Sequence, residues 1–279
     1  MEFSQICFIG GGNMASALIG GLLKKGWPPE RVAVVEIDAQ AREKLGRELK
    51  VQAYAELAPA VAGAECIVLA VKPQQLREVA RALAPLVHGS LVLSIAAGIR
   101  LDDVRRWLGG HSRAVRAMPN TPALVLAGIT GLYAPPEVAR PDRDRAQRIM
   151  DAAGETIWLE HEGELDAVTA LSGSGPAYVF YFIEALQQAA SDLGFDDTAA
   201  RRLALRTFSG AVKLAEHSTE DPSVLRARVT SKGGTTERGI AELERADVRG
   251  AILRAARAAT ERSRELGDEL GRDNPGAKS

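Results

Sequence analysis

Ile6-Cys7-Phe8-Ile9-Gly10-Gly11-Gly12-Asn13-Met14-Ala15, near the start of a 279-residue chain, carries the reading of the fold. From Phe3 to Ile9 the residues are mostly apolar β-formers, which suits a strand buried in a parallel sheet. Gly10-x-Gly12-x-x-Ala15 follows at once. The first glycine allows a sharp turn, the second lets the backbone approach a pyrophosphate, and the small third residue lets a helix lie close on the strand. From Asn13 the pattern turns helical, with Met14, Leu18, Ile19, Leu22 and Leu23 on one face and Gly26 as a stop. Phosphates would rest on the free amides of that helix, so Gly10, Gly11, Gly12, Asn13, Met14 and Ala15 are the expected pyrophosphate-binding residues. A tight structural turn is the plain alternative.

Working outward, Val32-Ala33-Val34-Val35 reads as a second strand ending at Glu36. A carboxylate there can accept hydrogen bonds from the adenosine ribose diol and would repel a 2′-phosphate. Arg42, on the helix that follows, could reach such a phosphate, although a solvated helix-face arginine is the commoner explanation. Helix-like and strand-like segments then alternate: Ala39 to Leu49 a helix, Cys66 to Val71 a strand, Gln74 to Leu86 a helix, Leu91 to Ile95 a strand, Leu101 to Leu108 a helix, Ala114 to Met118 a strand. The alternation implies a parallel sheet wrapped by helices, with ligands at the C-terminal ends of the strands. Lys72 and Pro73 leave one such end with a cation and a helix-starting proline; Ala96, Ala97 and Gly98 leave the next with small residues.

Around Trp158 to Glu164 the character changes. Long helical patterns follow at Glu164 to Leu193, Thr198 to His217, Asp221 to Val229 and Thr236 to Leu270. The first is apolar around much of its circumference, through Val168, Leu171, Tyr178, Val179, Phe180, Phe182, Ile183 and Leu186. A helix of that kind has to be covered on more than one side, and a second subunit is the expected cover. The fold class is therefore an α/β doubly wound parallel sheet of Rossmann type, followed by an all-α C-terminal dimerisation domain. The expected division is a dinucleotide-binding domain over residues 1–160, a helical substrate-binding and dimerisation domain over 161–270, and a polar, disordered tail over 271–279.

Composition narrows the function. Hydrophobic and charged fractions of 46% and 25% are those of an ordinary globular protein, and a net charge of −1 gives no electrostatic case for nucleic acid or an anionic membrane. Cys7 and Cys66 fall in apolar strand runs, as inert buried thiols do, and the four histidines lack ligand-like spacing, so no metal is expected. With no uninterrupted apolar span and no signal-like start, a cytoplasmic location is expected.

Four further segments look like site material. Arg116-Ala117-Met118-Pro119-Asn120-Thr121-Pro122 leaves a strand with a rigid backbone and two hydrogen-bonding side chains, Asn120 and Thr121. Ser172-Gly173-Ser174-Gly175-Pro176-Ala177-Tyr178 places helix-weakening residues in a helical pattern, which suggests a kink or a close approach. Thr230, Ser231, Thr235 and Thr236 surround Gly233-Gly234 just before the last long helix. Hydroxyls and free amides there form an anion site matched to a small carboxylate, against the plainer reading of a helix cap that needs one hydroxyl only. Lys72 could act as an acid or simply touch the cofactor.

Gly10-x-Gly12-x-x-Ala15, Ala70-Val71-Lys72-Pro73, Ala96-Ala97-Gly98, Met118 to Pro122, Ser172 to Tyr178 and Ser231-x-Gly-Gly-Thr-Thr236 together resemble the pyrroline-5-carboxylate reductases, in order and from about Ile6 to Leu266. The resemblance implies reduction of the cyclic imine 1-pyrroline-5-carboxylate to L-proline with NADH or NADPH. It implies that Gly10 to Ala15 hold the pyrophosphate and that Ala70, Val71, Lys72, Pro73, Ala96 and Ala97 line the nicotinamide half, with Asn120 also in the cofactor set. Ser231, Gly233, Gly234, Thr235 and Thr236 would hold the substrate together with Glu162, and Thr236, near the ring nitrogen, is the expected catalytic residue. It further implies an active site at a dimer interface and assembly as far as decamers. The chain departs from the family pattern at Lys232, where a proline is common, at Glu56-Leu57, where many members carry asparagine, and at Glu36-Ile37-Asp38, where members favouring NADPH commonly carry small hydroxyl or basic residues.

A protonated C=N is already electrophilic, so orientation of the two reactants is most of the catalytic task. Two competing readings are a hydroxyacid-type dehydrogenase, with Lys213 or His217 as its helical-domain acid or base, and a non-catalytic nucleotide sensor, which would have no need of the Ser231 to Thr236 turn.

Overall fold

The computed structural model describes residues 4–272. The expectations for Phe3 and for the tail beyond Arg272 lie outside them. Residues up to Ser174 together with those from Ala259 onward form one compact unit, and Gly175–Ala258 form the other.

In chain order the first unit contains β1 Ile6–Ile9, α1 Asn13–Lys24, β2 Val32–Val35, α2 Ala39–Leu49, β3 Gln52–Tyr54, α3 Leu57–Val61, β4 Cys66–Leu69, α4 Pro73–Leu83, β5 Leu91–Ser94, α5 Leu101–Trp107, β6 Ala114–Met118, β7 Gly128–Tyr133, α6 Arg140–Met150, β8 Gly154–Trp158 and α7 Glu164–Val168. The strands form one 8-stranded sheet in the order β3-β2-β1-β4-β5-β6-β7-β8. Every neighbouring pair is parallel except β6 and β7, which run antiparallel. Strand order reverses between β1 and β4, and such a reversal opens a crevice at the C-terminal strand ends.

The strand sequences explain this placement. All residues of β1, β2, β4 and β5 are buried, because helices cover both faces of a parallel sheet. Phe8, Val34, Val68 and Leu93 point to one face with Leu18, Ile19 and Leu22 of α1. Cys7, Ile9, Ile67 and Val92 point to the other with Leu76 and Leu83 of α4 and Val104 of α5. Complete burial of a side chain such as Phe8 stabilises by about 1.5–3 kcal/mol. Burial also pushes the Cys7 thiol up to about 12 and the Cys66 thiol higher still, since neither can ionise without hydration.

Five elements do not follow from the sequence reading: β3, α3, β7, α6 and β8. β3 is three residues long and partly exposed at the sheet edge, and β7 is interrupted by Gly128 and Gly131. At Gly131 a Cβ would lie 3.0 Å from a methyl of Val168, so a larger residue there would have to displace that side chain. α6 buries only Asp142, Ala146, Ile149 and Met150 along a very polar sequence. Asp142 accepts a paired hydrogen bond from Arg113, at 2.7 and 2.8 Å, which satisfies an otherwise costly buried carboxylate.

The continuous helix expected over Glu164 to Leu193 is divided. After α7 comes a π-helical turn at Thr169–Gly173, then α8 Gly175–Asp192. The hydroxyls of Thr169 and Ser172 donate back to the carbonyls of Leu165 and Val168, and a Cβ on Gly173 would lie 2.7 Å from Met118 Cε. The kink expected at Ser172 to Tyr178 therefore sits where the helix meets the Met118 loop. In the second unit α8 runs along α9 Asp197–Glu216, and α10 Pro222–Arg228 and α11 Thr235–Arg245 follow. The last helix pattern also divides: α11 ends and α12 Val248–Gly271 begins around Asp247, whose backbone is left-handed (φ 50°) and whose carboxylate accepts from the Gly250 amide.

Candidate functional site

A cleft of about 610 Å³ opens at the C-terminal ends of β1, β2 and β4. Gly10, Gly11, Gly12, Glu36, Ala70, Val71 and Lys72 all line it, as the sequence reading expects. Gly10 has φ +102°, and a Cβ would lie 2.8 Å from the Ala70 carbonyl, so only glycine fits where β1 turns beside β4. A Cβ on Gly11 would lie 2.4 Å from Leu45 of α2. Gly12 is different: a Cβ there meets nothing within 4 Å, and no side chain caps the helix it precedes. The first-turn amides of α1 have no intrahelical partners and border open space. The cradle fits a diphosphate on this geometry alone.

Glu36 is held rather than free. Its two carboxylate oxygens accept from the amides of Gly11 and Asp38, each at 3.0 Å. Arg42 donates through Nη1 to the carbonyls of Glu36 at 2.8 Å and Ile37 at 3.1 Å, and so braces the loop from below. Asp38 caps α2 by accepting from the Ala41 amide at 2.7 Å. Lys72 is the N-cap residue of α4, with Pro73 in its first turn, and is exposed at the rim.

Other expected cofactor residues lie outside the cleft lining. Asn13, Met14 and Ala15 form the first turn of α1, and Ala15 packs in the core. Ala96 is buried and Ala97 exposed in the turn after β5. Asn120 is 7% exposed, with Nδ2 donating to Ser172 O at 3.1 Å and Oδ1 accepting from the Ile129 amide at 3.0 Å. Both ends of its side chain therefore tie the Met118 loop to the π-helical turn and β7. Glu162 is likewise engaged: Oε1 accepts from Arg116 Nη1 at 2.8 Å and from the Leu101 amide at 2.6 Å.

Sequence reading missed one wall of the cleft, formed by Gln75, Glu78, Val79 and Ala82 of α4, with Ala55 and Leu57 beside them. The i, i+3, i+4, i+7 spacing of the four α4 residues marks a single helix face and is the signal that could have found them.

In the second unit, Gly234 is the N-cap residue of α11 and has no side-chain cap. Glu237 reaches back to the Gly233 amide at 2.7 Å, and Gly233 has φ +73°. Glu237 thus fixes the glycine turn ahead of the helix, and the exposed hydroxyls of Ser231, Thr235 and Thr236 are not consumed in capping it. Of the competing pair, Lys213 and His217 are exposed at the end of α9, with His217 Nδ1 against the Lys213 carbonyl at 2.8 Å. Among the described residues, no group of three or more His, Cys, Asp or Glu is placed to hold a metal ion.

The glycine turn, the acid-tipped second strand and the cleft at the switch of strand order define a dinucleotide-dependent oxidoreductase of Rossmann type. A family model described as NADP oxidoreductase, coenzyme F420-dependent, matches residues 5–98, and one described as pyrroline-5-carboxylate reductase dimerisation matches residues 162–266. A pyrroline-5-carboxylate reductase of Pseudomonas aeruginosa is 42% identical over 272 residues, covering 97% of this chain and 100% of that protein. The solved pyrroline-5-carboxylate reductase of Coxiella burnetii is 39% identical with a TM-score of 0.90, over 95% of this chain and 99% of that one. A Plasmodium falciparum pyrroline carboxylate reductase solved with NADP bound is 28% identical with a TM-score of 0.86, over 96% and 99%. The chain belongs to the pyrroline-5-carboxylate reductases.

Proposed function

We propose that this protein reduces 1-pyrroline-5-carboxylate to L-proline, with the dinucleotide in the cleft of the first unit and the substrate at the Ser231 to Thr236 turn of the second. The observation that carries the substrate assignment is the helix start at Gly234: no side chain caps it, so its first-turn amides and the hydroxyls of Ser231, Thr235 and Thr236 stay available. When bound, the dinucleotide supplies the hydride. The chain's own residues bind and orient. First-turn amides of α1 hold the diphosphate, first-turn amides of α11 with Ser231 hold the substrate carboxylate, and the Thr236 hydroxyl hydrogen-bonds the ring nitrogen, accepting from its N–H when the imine is protonated. Glu162, which accepts from Arg116 and the Leu101 amide, belongs to the substrate-binding set in the same reading.

The division into a nucleotide domain over 1–160 and a helical domain over 161–270 belongs to the same reading, as do a dimer that assembles further into decamers and a cytoplasmic location. The apolar side chains left exposed on α8 and α9 support self-association.

Cofactor choice follows from Glu36. A carboxylate fixed by two amides accepts from the ribose diol of NADH and opposes the 2′-phosphate of NADPH. At an effective dielectric near 20 that opposition reaches about 4 kcal/mol before relaxation. Rotation of Glu36 into solvent and the nearby positive charge of Arg42 offset part of it, leaving about a ten- to hundredfold preference for NADH. Following NADH and NADPH oxidation with pyrroline-5-carboxylate, beside a chain-matched aliphatic ketoacid, tests both parts. Oxidation should require the cyclic imine and proceed with higher kcat/KM on NADH, and Glu36→Ser should narrow or invert that ratio. Turnover of the ketoacid alone removes the substrate assignment, and a higher kcat/KM on NADPH in the unmutated enzyme removes the reading of Glu36.

A further inference from the structure

The last turns of α12 are held by an arrangement that neither the cleft nor the substrate turn accounts for. Arg77 of α4 donates through Nη2 to the carbonyl of Leu270 at 2.9 Å and to that of Arg272. Arg106 of α5 donates to the carbonyl of Gly271 at 2.9 Å and pairs with Asp103 at 2.7 Å. Both guanidinium groups lie over the Trp107 ring, at 5.2 and 5.9 Å from its centroid, and the ring itself is buried. The final carbonyls of a helix lack intrahelical partners and carry its negative dipole end, so two arginines stacked on an indole are a matched receptor for them. Further back, Arg100 pairs with Asp268 at 2.7 Å, and the Ser263 hydroxyl donates to the buried carboxylate of Asp166 at 2.6 Å. Gly267 and Gly98 allow close approach: a Cβ on Gly267 would lie 3.2 Å from the Gly98 carbonyl.

The receptor sits on the same helix as the missed wall of the cleft. Gln75, Glu78, Val79 and Ala82 of α4 line the cleft, while Arg77, on the same rigid element, grips α12. Nothing in the sequence pattern of α4 requires an arginine at 77, and a half-buried guanidinium is an expensive choice for a purely structural helix face. We infer that Arg77 is a positioning residue for cofactor binding: by holding the end of α12 it fixes the face of α4 that forms one wall of the dinucleotide cleft. Trp107 and Arg106 complete the grip. The inference rests on the reading of that cleft as the dinucleotide site.

The test uses the full-length enzyme and direct titration of NADH as well as turnover. Arg77→Ala should raise the dissociation constant for NADH, and KM for NADH in parallel, by about five- to tenfold, while KM for pyrroline-5-carboxylate and kcat stay within twofold. Arg77→Lys, which keeps a cation within reach of one carbonyl, should recover part of the loss. Arg106→Ala, which leaves the Leu270 contact intact, should give a smaller change in the same direction and guards against a fold defect peculiar to Arg77→Ala. Equal rises in both KM values, or a lowered melting temperature with an unchanged NADH dissociation constant, would overturn the inference. If the unmutated enzyme bound neither NADH nor NADPH, the reading of the cleft would fail; if it bound and Arg77→Ala bound equally well, only the positioning role would.

Discussion

The two units bury their apolar residues in opposite ways. In the first, the strands β1, β2, β4 and β5 are buried at every position and the helices contribute whole faces to two contiguous clusters. In the second, the buried hydrophobic residues are Ala190, Ala200 and Ala204, while Val179, Phe180, Tyr181, Leu186, Leu203, Leu205, Val212 and Leu214 stand exposed. Loss of chain entropy on folding is similar per residue in both units, but only one recovers it from its own core. The first unit can be a folded domain by itself. The second has little core of its own, and the match of residues 162–266 to the dimerisation family model supports self-association.

The contrast can be broken most severely at the exposed apolar faces. Phe180→Glu combined with Leu214→Glu should raise the dimer dissociation constant by about a thousandfold or more, near 4 kcal/mol, by removing apolar burial and demanding desolvation of two charges. Sedimentation at micromolar concentration measures it. A dimer of unchanged affinity would mean that another surface joins the subunits. The same substitutions should leave cofactor binding by the first unit intact, because none of its clusters includes these residues.

Next in size is Thr236→Ala, which should lower kcat by about one to three orders of magnitude with cofactor affinity nearly unchanged, a lost transition-state hydrogen bond being worth about 1.5–4 kcal/mol. An unaltered kcat in the folded variant takes Thr236 out of the mechanism. Gly12→Val follows. Its new side chain points where no protein atom lies within 4 Å, so stability should hold while the dissociation constant for either dinucleotide rises about a hundredfold, near 2.7 kcal/mol. Gly10→Ala should do the reverse and damage stability first, given φ +102° and the Ala70 carbonyl at 2.8 Å.

The smallest expected effect sharpens the comparison from the side of the buried core. Below a pH near 9 the Cys7 thiol is neutral in both folded and unfolded chains; above it only the unfolded chain ionises, because the folded value is about 12. Stability should fall by about 1.4 kcal/mol per pH unit for this thiol as the pH rises from 9. Urea unfolding at pH 8.5 and 10 should show a shallower loss in Cys7→Ala than in the unmutated protein. Equal losses would mean that Cys7 is hydrated in the folded state.

Legibility in the sequence followed burial within the first unit. Val32–Val35 and Ala39–Leu49 were readable to the residue because burial on both faces leaves a continuous apolar run, or a helical stripe beside one, and Ala114–Met118 was readable despite Arg116 at its centre. β7 and β8 were not, since Gly131 yields to the approach of Val168 and the β8 sequence Gly-Glu-Thr-Ile-Trp alternates weakly. The glycine turn and the tip of β2 could be placed because the backbone itself makes those sites. Asn120 and Glu162 show the limit: their chemistry suits a ligand, yet in this structure the hydrogen bonds they make go to Ser172, Ile129, Arg116 and Leu101, partners 9 to 61 residues distant in sequence.

The π-helical turn at Thr169–Gly173 has a geometric consequence for the helix that follows. Each residue of an α-helix advances by about 100°, so one residue added within a turn shifts the phase of all later side chains by about that angle. Leu165 and Ala170 face inward in the first unit before the shift is complete, and Val179, Phe180 and Leu186 come after it. A deletion of a single residue within Thr169–Gly173 should therefore turn Val179, Phe180 and Leu186 by about 100° about the helix axis while leaving every side chain of α8 in place.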